Sequence, residues 1–220
     1  MAGALRSILG LMHRPVYEAR LRELVRRIVP HLRPGDRVLD VGCGSGALGR
    51  ALLDAAGSPE GLVVEGLERS PRGGESITVH AYPDGGGGGG GGAGRWIPFD
   101  DAAYDVVIVA DVLHHEAAPD RLLSQCARVA GRLLIIKDHQ LCGPMARWRV
   151  SFMDWAANAP YGVACLYRYN TPEQWRRARG SLGMELIEEL GSMNLYPPVV
   201  NLVFGRRLQY FVVLGRADTS

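Results

Sequence analysis

DVGCGSGALG, residues 40–49, is the stretch on which the reading of this chain turns. The short apolar run RVLDVG (37–42) ends at an acidic residue. Gly42, Gly44 and Gly46 then alternate, and a helical pattern starts at Ala47. A strand, a glycine turn and a helix start form a platform where backbone approaches a ligand closely. Two patterns overlap there. Gly44-x-Gly46-x-x-Gly49 matches the spacing of a dinucleotide-binding loop. Asp40-x-Gly42-x-Gly44-x-Gly46 instead puts a carboxylate just ahead of the glycines, where it repels a pyrophosphate and attracts an ammonium. Asp40 therefore argues for a ligand carrying positive charge, and a nicotinamide-dependent oxidoreductase is the weakest reading.

Working outward, apolar Leu21, Leu24, Val25, Ile28 and Leu32 recur at helical spacing before Pro34-Gly35, within a basic helical region over 1–34. Strands are predicted at 37–42, 61–68, 76–82, 104–111 and 131–138, with helices at 47–56 and 119–130. Continuous apolar runs such as VVIVA and LLII suit strands covered on both faces. The alternation predicts one α/β domain over 1–220, a Rossmann-like doubly wound sheet with helices on both faces. TPEQWRRARGSLG (171–183) reads as a helix capped by Thr171, and strands follow at 184–190 and 207–216, joined by a connection. Two segments break the rhythm. Residues 84–94 hold eight consecutive glycines, which predicts a flexible loop extension, read as a neutral repeat expansion with a mobile loop beside adenine as the alternative. Residues 139–170 are long for a connection and rich in Trp, Tyr, Phe and Met, which predicts an inserted aromatic cap over an acceptor site.

Composition narrows the classes. With 220 residues, 47% apolar, 22% charged and a net charge of +2, nothing points to nucleic acid. Eight arginines against Glu18, Glu23 and Asp36 over residues 1–37 predict a solvated helix face, with peripheral membrane contact as the alternative. Cys43, Cys126, Cys142 and Cys165 show neither CxxC nor metal-ligand spacing, so no metal and a reducing, cytoplasmic setting are expected. The opening MAGALRSILGLMHRP is too broken by Arg6 to read as a signal peptide, and no apolar run is long enough to span a membrane. Of 25 basic residues only Lys137 is lysine, a compact point charge that an arginine cannot mimic.

VLDVGCGSG resembles the first motif of class I S-adenosylmethionine-dependent methyltransferases, and the resemblance runs in order and spacing over about residues 35–138. It implies S-adenosyl-L-methionine as cofactor and a seven-stranded sheet whose last strand is antiparallel. It also implies that Asp40, Gly42, Cys43, Gly44 and Gly46 hold the methionine end, and that Glu68, followed by Arg69, binds both ribose hydroxyls. The rival Glu65 lies inside the strand. Asp84 and Gly85 take the adenine position. Asp111, Val112 and His115, in the DVLHH segment, stand beside the methionine end. That segment is similar to small-molecule methyltransferases of the quinone-biosynthesis kind, and it lacks the Asn/Asp-Pro-Pro-aromatic motif of amine methylators. The expected reaction is methyl transfer to an oxygen or carbon of a small aromatic or apolar acceptor. The alternative is a partner protein that binds the cofactor without turnover.

Such transfer needs an aligned acceptor and a base near neutral pH, the task histidine suits best. His114, His115 and His139 fall at strand ends on the ligand edge. His139 opens the aromatic insertion, so it is the expected base or acceptor-positioning group, with Asp138 orienting it and Lys137 holding an anionic acceptor oxygen. Arg147, Arg149 and Arg168 are candidates for pairing with an acid on the acceptor.

Overall fold

The computed structural model describes residues 2–69, 71, 73, 76–81, 96–158, 165–205 and 207–216. Seven strands make one sheet: β1 Arg37–Val41, β2 Val63–Glu68, β3 Thr78–Ala81, β4 Tyr104–Ala110, β5 Ala130–His139, β6 Glu185–Leu190 and β7 Gln209–Gly215. Their spatial order is β3-β2-β1-β4-β5-β7-β6, and only β7 runs antiparallel to its neighbours. The order reverses between β1 and β4, so the connections that leave these two paired strands run to opposite sides and open a crevice at their C-terminal ends. The predicted fold class holds.

Both faces are covered because alternate residues of the central strands are apolar on both sides. One face packs Leu39, Val41, Val107, Val109, Leu134 and Ile136 against Leu122, Leu123 and Cys126 of α3 (Pro119–Val129) and Trp175 of α5 (Pro172–Gly180). The other packs Val38, Val64, Val106, Ile108 and Ile135 against Leu24 and Ile28 of α1 (Ala2–Ile28) and Leu48 and Leu52 of α2 (Ala47–Leu53). Truncating any of these to alanine costs about 2–5 kcal/mol.

Helix α5 starts as its sequence requires: Thr171 Oγ1 accepts from Gln174 N at 3.2 Å, and Thr171 N donates to Gln174 Oε1 at 2.7 Å. Two sequence expectations need correction. The connection after β6 contains helix α6, Pro198–Phe204, whose first-turn proline and following Gly205 are themselves start and stop signals. Helix α1 stops at Ile28 and tightens into a 3-10 turn, Val29–His31. Its basic face is not simply solvated, since Arg26 and Arg27 pair with Glu23 while Arg20 turns toward the sheet. Within the predicted cap, helix α4 (Ala146–Asn158) carries its aromatics outward. Trp148, Phe152 and Trp155 are 58%, 44% and 51% exposed, and Phe152 stacks on Phe204 of α6. What α4 turns inward is Ala146, Val150 and the carboxylate of Asp154. Among the described residues no helix is long and apolar enough to cross a membrane. The glycine run, with Asp84 and Gly85, lies outside the described residues.

Candidate active site

The glycine turn is built by steric necessity. Gly42 has φ +72°, and a Cβ there would lie 2.4 Å from Val112 Cγ2; Gly46 has φ +74° and lies against Ile77. Only glycine meets both demands, left-handed backbone and close approach. The turn brings Gly44 N to Glu68, whose Oε2 accepts from it at 2.9 Å, while Glu68 Oε1 accepts from Arg69 N at 2.8 Å. The ends of β1 and β2 are thus joined by the carboxylate named from sequence. The guanidinium of Arg69 turns away to pair with Glu116. Glu65 is engaged elsewhere, accepting from the hydroxyl of Tyr104 at 2.9 Å.

Asp40 is 2% exposed, and its Oδ2 has no hydrogen-bond partner. Burial pushes this carboxyl up to about 7; nearby Arg20 opposes the rise and Glu68 adds to it. A buried acceptor left without a partner costs free energy unless something fills the site, so it marks a place where a donor is expected.

Across the crevice, Asp111 sits in the left-handed region at φ +58°, a strained conformation for a residue with a side chain. Its carboxylate is clamped from two sides. Lys137 Nζ lies 2.5 Å from Oδ1, and Arg20 Nη2 lies 2.5 Å from Oδ2. Burial alone would raise the Asp111 carboxyl, but Lys137 and Arg20 hold it well below the usual range. Burial lowers the Lys137 ammonium, partly offset by Asp111. Lys137 is 1% exposed. It is therefore occupied with Asp111, which leaves its expected hold on an acceptor oxygen without support in the geometry.

The strand end after Lys137 also differs from expectation. Asp138 pairs with His114, not with the ring of His139: its Oδ1 lies 2.6 Å from His114 Nδ1, and its Oδ2 accepts from Leu113 N at 3.0 Å. It touches His139 only through that residue's backbone N. Burial would lower the His114 imidazole, yet Asp138 and Asp154 raise it to about 10. His139 goes the other way. Burial and the Lys137 charge bring it down to about 4, and its Nδ1 is buried with no partner. His139 is 7% exposed, with Trp175 Nε1 donating to its backbone oxygen at 3.0 Å. His115 is lowered by burial and by His114, and is partly exposed.

The fold thus brings Asp40, the glycine turn, Glu68, Asp111, Val112 and His139 to one edge. Arg168, a candidate for binding the acceptor, donates to the Ala117 carbonyl at 2.8 Å instead. Sequence reading missed Arg20, which is one of eight similar arginines, and Asp154, which looks like a polar residue in an aromatic run. No local pattern announces either; each acquires its place from residues distant in sequence.

A family model described as a methyltransferase domain matches residues 13–189. Among curated relatives, 27-O-demethylrifamycin SV methyltransferase of Amycolatopsis mediterranei is 33% identical over 53% of this chain and 43% of its own length. Ubiquinone biosynthesis O-methyltransferase of Maricaulis maris is 28% identical over 71% and 62%. Ubiquinone/menaquinone biosynthesis C-methyltransferase UbiE of Ralstonia nicotianae is 27% identical over 80% and 77%. The chain thus spans less than two thirds of the first two relatives. In fold it is similar to magnesium protoporphyrin IX methyltransferase of Synechocystis PCC 6803, solved with bound S-adenosylhomocysteine, at TM-score 0.56, 19% identity and coverage of 90% and 82%. It is also similar to the [4+2]-cyclase SpnF, at TM-score 0.59, 16% identity and coverage of 90% and 80%. With the family match covering most of the chain, the crevice and its motif have a common explanation: this chain belongs to the class I S-adenosylmethionine-dependent methyltransferases.

Proposed function

We propose that this chain binds S-adenosylmethionine in the crevice between β1 and β4 and methylates an oxygen or carbon of a small apolar or aromatic molecule. One observation carries the reading: the buried, partnerless Oδ2 of Asp40 beside a turn that only glycine can make. The site fits the cofactor in chemistry. Asp40 is the acceptor for its ammonium, and the turn at Gly42, Cys43, Gly44 and Gly46 exposes backbone to its methionine end. Glu68 is placed for both ribose hydroxyls, since each carboxylate oxygen can accept more than one hydrogen bond. Arg20, paired with Asp111, is the cation we assign to the methionine end, with Val112 forming the wall behind Gly42. Asp84 and Gly85 keep the adenine position that the resemblance implies.

When bound, the cofactor supplies a methyl group on a sulfonium. The chain's own residues align the acceptor and keep water out. His139 is the group we assign to the acceptor. Its buried imidazole offers Nδ1 toward a hydroxyl, and the Lys137–Asp111–Arg20 cluster fixes the strand end that carries it. The relatives' names, an O-methyltransferase and a C-methyltransferase of quinone biosynthesis and a rifamycin methyltransferase, support a small-molecule acceptor.

The test is a metabolite extract incubated with purified protein and cofactor, screened for a mass gain of one methylene. Product formation supports the enzyme. Tight retention of S-adenosylhomocysteine with no product from any acceptor class would favour the cofactor-binding partner. Calorimetry that registers NADH and not S-adenosylhomocysteine would overturn the assignment.

A further inference from the structure

We propose that His114, His115 and Asp154 form a site for one divalent first-row transition metal ion, of which Zn2+ is the type, at the seam between α4 and the 3-10 turn Leu113–His115. His114 Nε2 lies 3.7 Å from Asp154 Oδ1, and His115 Nε2 lies 3.8 Å from the same oxygen. Ligands on a tetrahedral zinc with bonds of about 2.0–2.1 Å stand roughly 3.3–3.5 Å apart, so each histidine needs to close on Asp154 by only a few tenths of an ångström, and the three ligand atoms all lie within 4.8 Å of one another. Two imidazoles and one carboxylate select a transition metal over Mg2+ or Ca2+, which demand oxygen.

The surroundings match those of metal ligands. A metal-bound histidine gives its other ring nitrogen to a carboxylate, and Asp138 Oδ1 stands 2.6 Å from His114 Nδ1. The ion takes the place of the Nε2 proton that Asp138 and Asp154 otherwise hold on His114, so binding releases that proton to solvent. Ligating carboxylates are held in turn, and Tyr169 donates to Asp154 Oδ2 at 2.6 Å, with Oδ1 facing the histidines. The Cys165 thiol hydrogen-bonds Asp154 from the rim. The neighbouring group Asp111, His114 and His139 also has metal-like proportions. It is the worse host, because Lys137 and Arg20 already occupy both oxygens of Asp111 and a dication would have to displace them. A metal at the preferred site ties α4 to the sheet edge that carries the reaction.

The experiment uses the full chain, stripped with a chelator, with no cofactor or acceptor present, so its failure leaves the methyltransferase reading untouched. Co2+ is titrated as a spectroscopic stand-in, Zn2+ by calorimetry, and Mg2+ as control. One equivalent of Co2+ with visible d–d absorption is expected, with no Mg2+ binding. His115→Ala and Asp154→Asn should each weaken Zn2+ by at least tenfold, while His139→Gln leaves it unchanged. Circular dichroism verifies that each variant is folded, and the isosteric Asp154→Asn guards against loss by misfolding. Absence of stoichiometric Co2+ binding to the parent chain would overturn the proposal. So would a loss confined to His139→Gln.

Discussion

The Arg20 guanidinium on α1 lies 2.5 Å from the Asp111 carboxylate after β4, ninety-one positions away in sequence. The pair ties a helix that precedes the sheet to the C-terminal end of β4. Arg20 is flanked by Tyr17 and Tyr196 as well as by Asp111. Arg20→Ala should weaken S-adenosylhomocysteine binding by about ten- to a hundredfold, roughly 1.4–2.8 kcal/mol. Arg20→Lys should recover part of that loss, since it keeps the charge and not the two-pronged contact. Calorimetry on both variants measures it.

Asp40 links cofactor binding to pH. Its folded carboxyl sits at about 7 against an ordinary 3.8, so between those values the folded state holds a proton that the unfolded chain has lost. Stability of the ligand-free protein therefore falls as pH rises through that window, by an amount on the order of a few kcal/mol. Asp40→Asn removes the penalty. It should melt higher than the parent at pH 8 and match it near pH 4. Binding runs the opposite way, because an ammonium needs the ionised form: affinity should drop below pH 7 in the parent and be weak at every pH in Asp40→Asn. Thermal melts and calorimetry across pH 4–8 settle both halves.

Asp40 shows where sequence reading succeeds, and Arg20 where it does not. The order of strands, the glycine turn and the acidic ends at Asp40 and Glu68 are local, because a strand that must end at a ligand-bearing turn writes its terminus in a few adjacent residues. Arg20 and Asp154 are not local. Each sits on a helix whose periodicity tells which face is buried but not which charge waits on the other side. The pairing of Asp138 with His114 is equally invisible in sequence. Either histidine satisfies the spacing, and only the 3-10 turn at Leu113–His115 aims one of them inward. Helix α6 is legible in principle from Pro198 and Gly205, but its short length and two adjacent prolines outweigh that signal.

His139 supplies a prediction about turnover. Replacement by Ala or by Gln under saturating cofactor should lower kcat on the order of a hundredfold, the lower range for a positioned acid–base group. Cofactor affinity should change less than kcat, because Lys137 and Arg20 hold Asp111 at 2.5 Å while the His139 ring stands 3.9 Å from it. Near-normal rates in both variants would remove His139 from the chemistry.

The turn itself can be tested by contrasting two glycines that share a left-handed backbone. Gly44 has φ +55°, and a Cβ added there would meet nothing within 4 Å, so Gly44→Ala faces only the conformational penalty, about 1–2 kcal/mol. Gly42 has φ +72° and meets Val112 Cγ2 at 2.4 Å, so Gly42→Ala adds a clash to the same penalty. Denaturant melts should rank Gly42→Ala as clearly the more destabilised. Adding Val112→Ala to Gly42→Ala removes the two methyl groups in the way, and the double variant should regain stability toward the level of Gly44→Ala. The two sites touch, so their effects should be non-additive. Simple addition would mean that the wall behind the turn is not Val112, and that the close approach holding the ligand platform in shape comes from somewhere else.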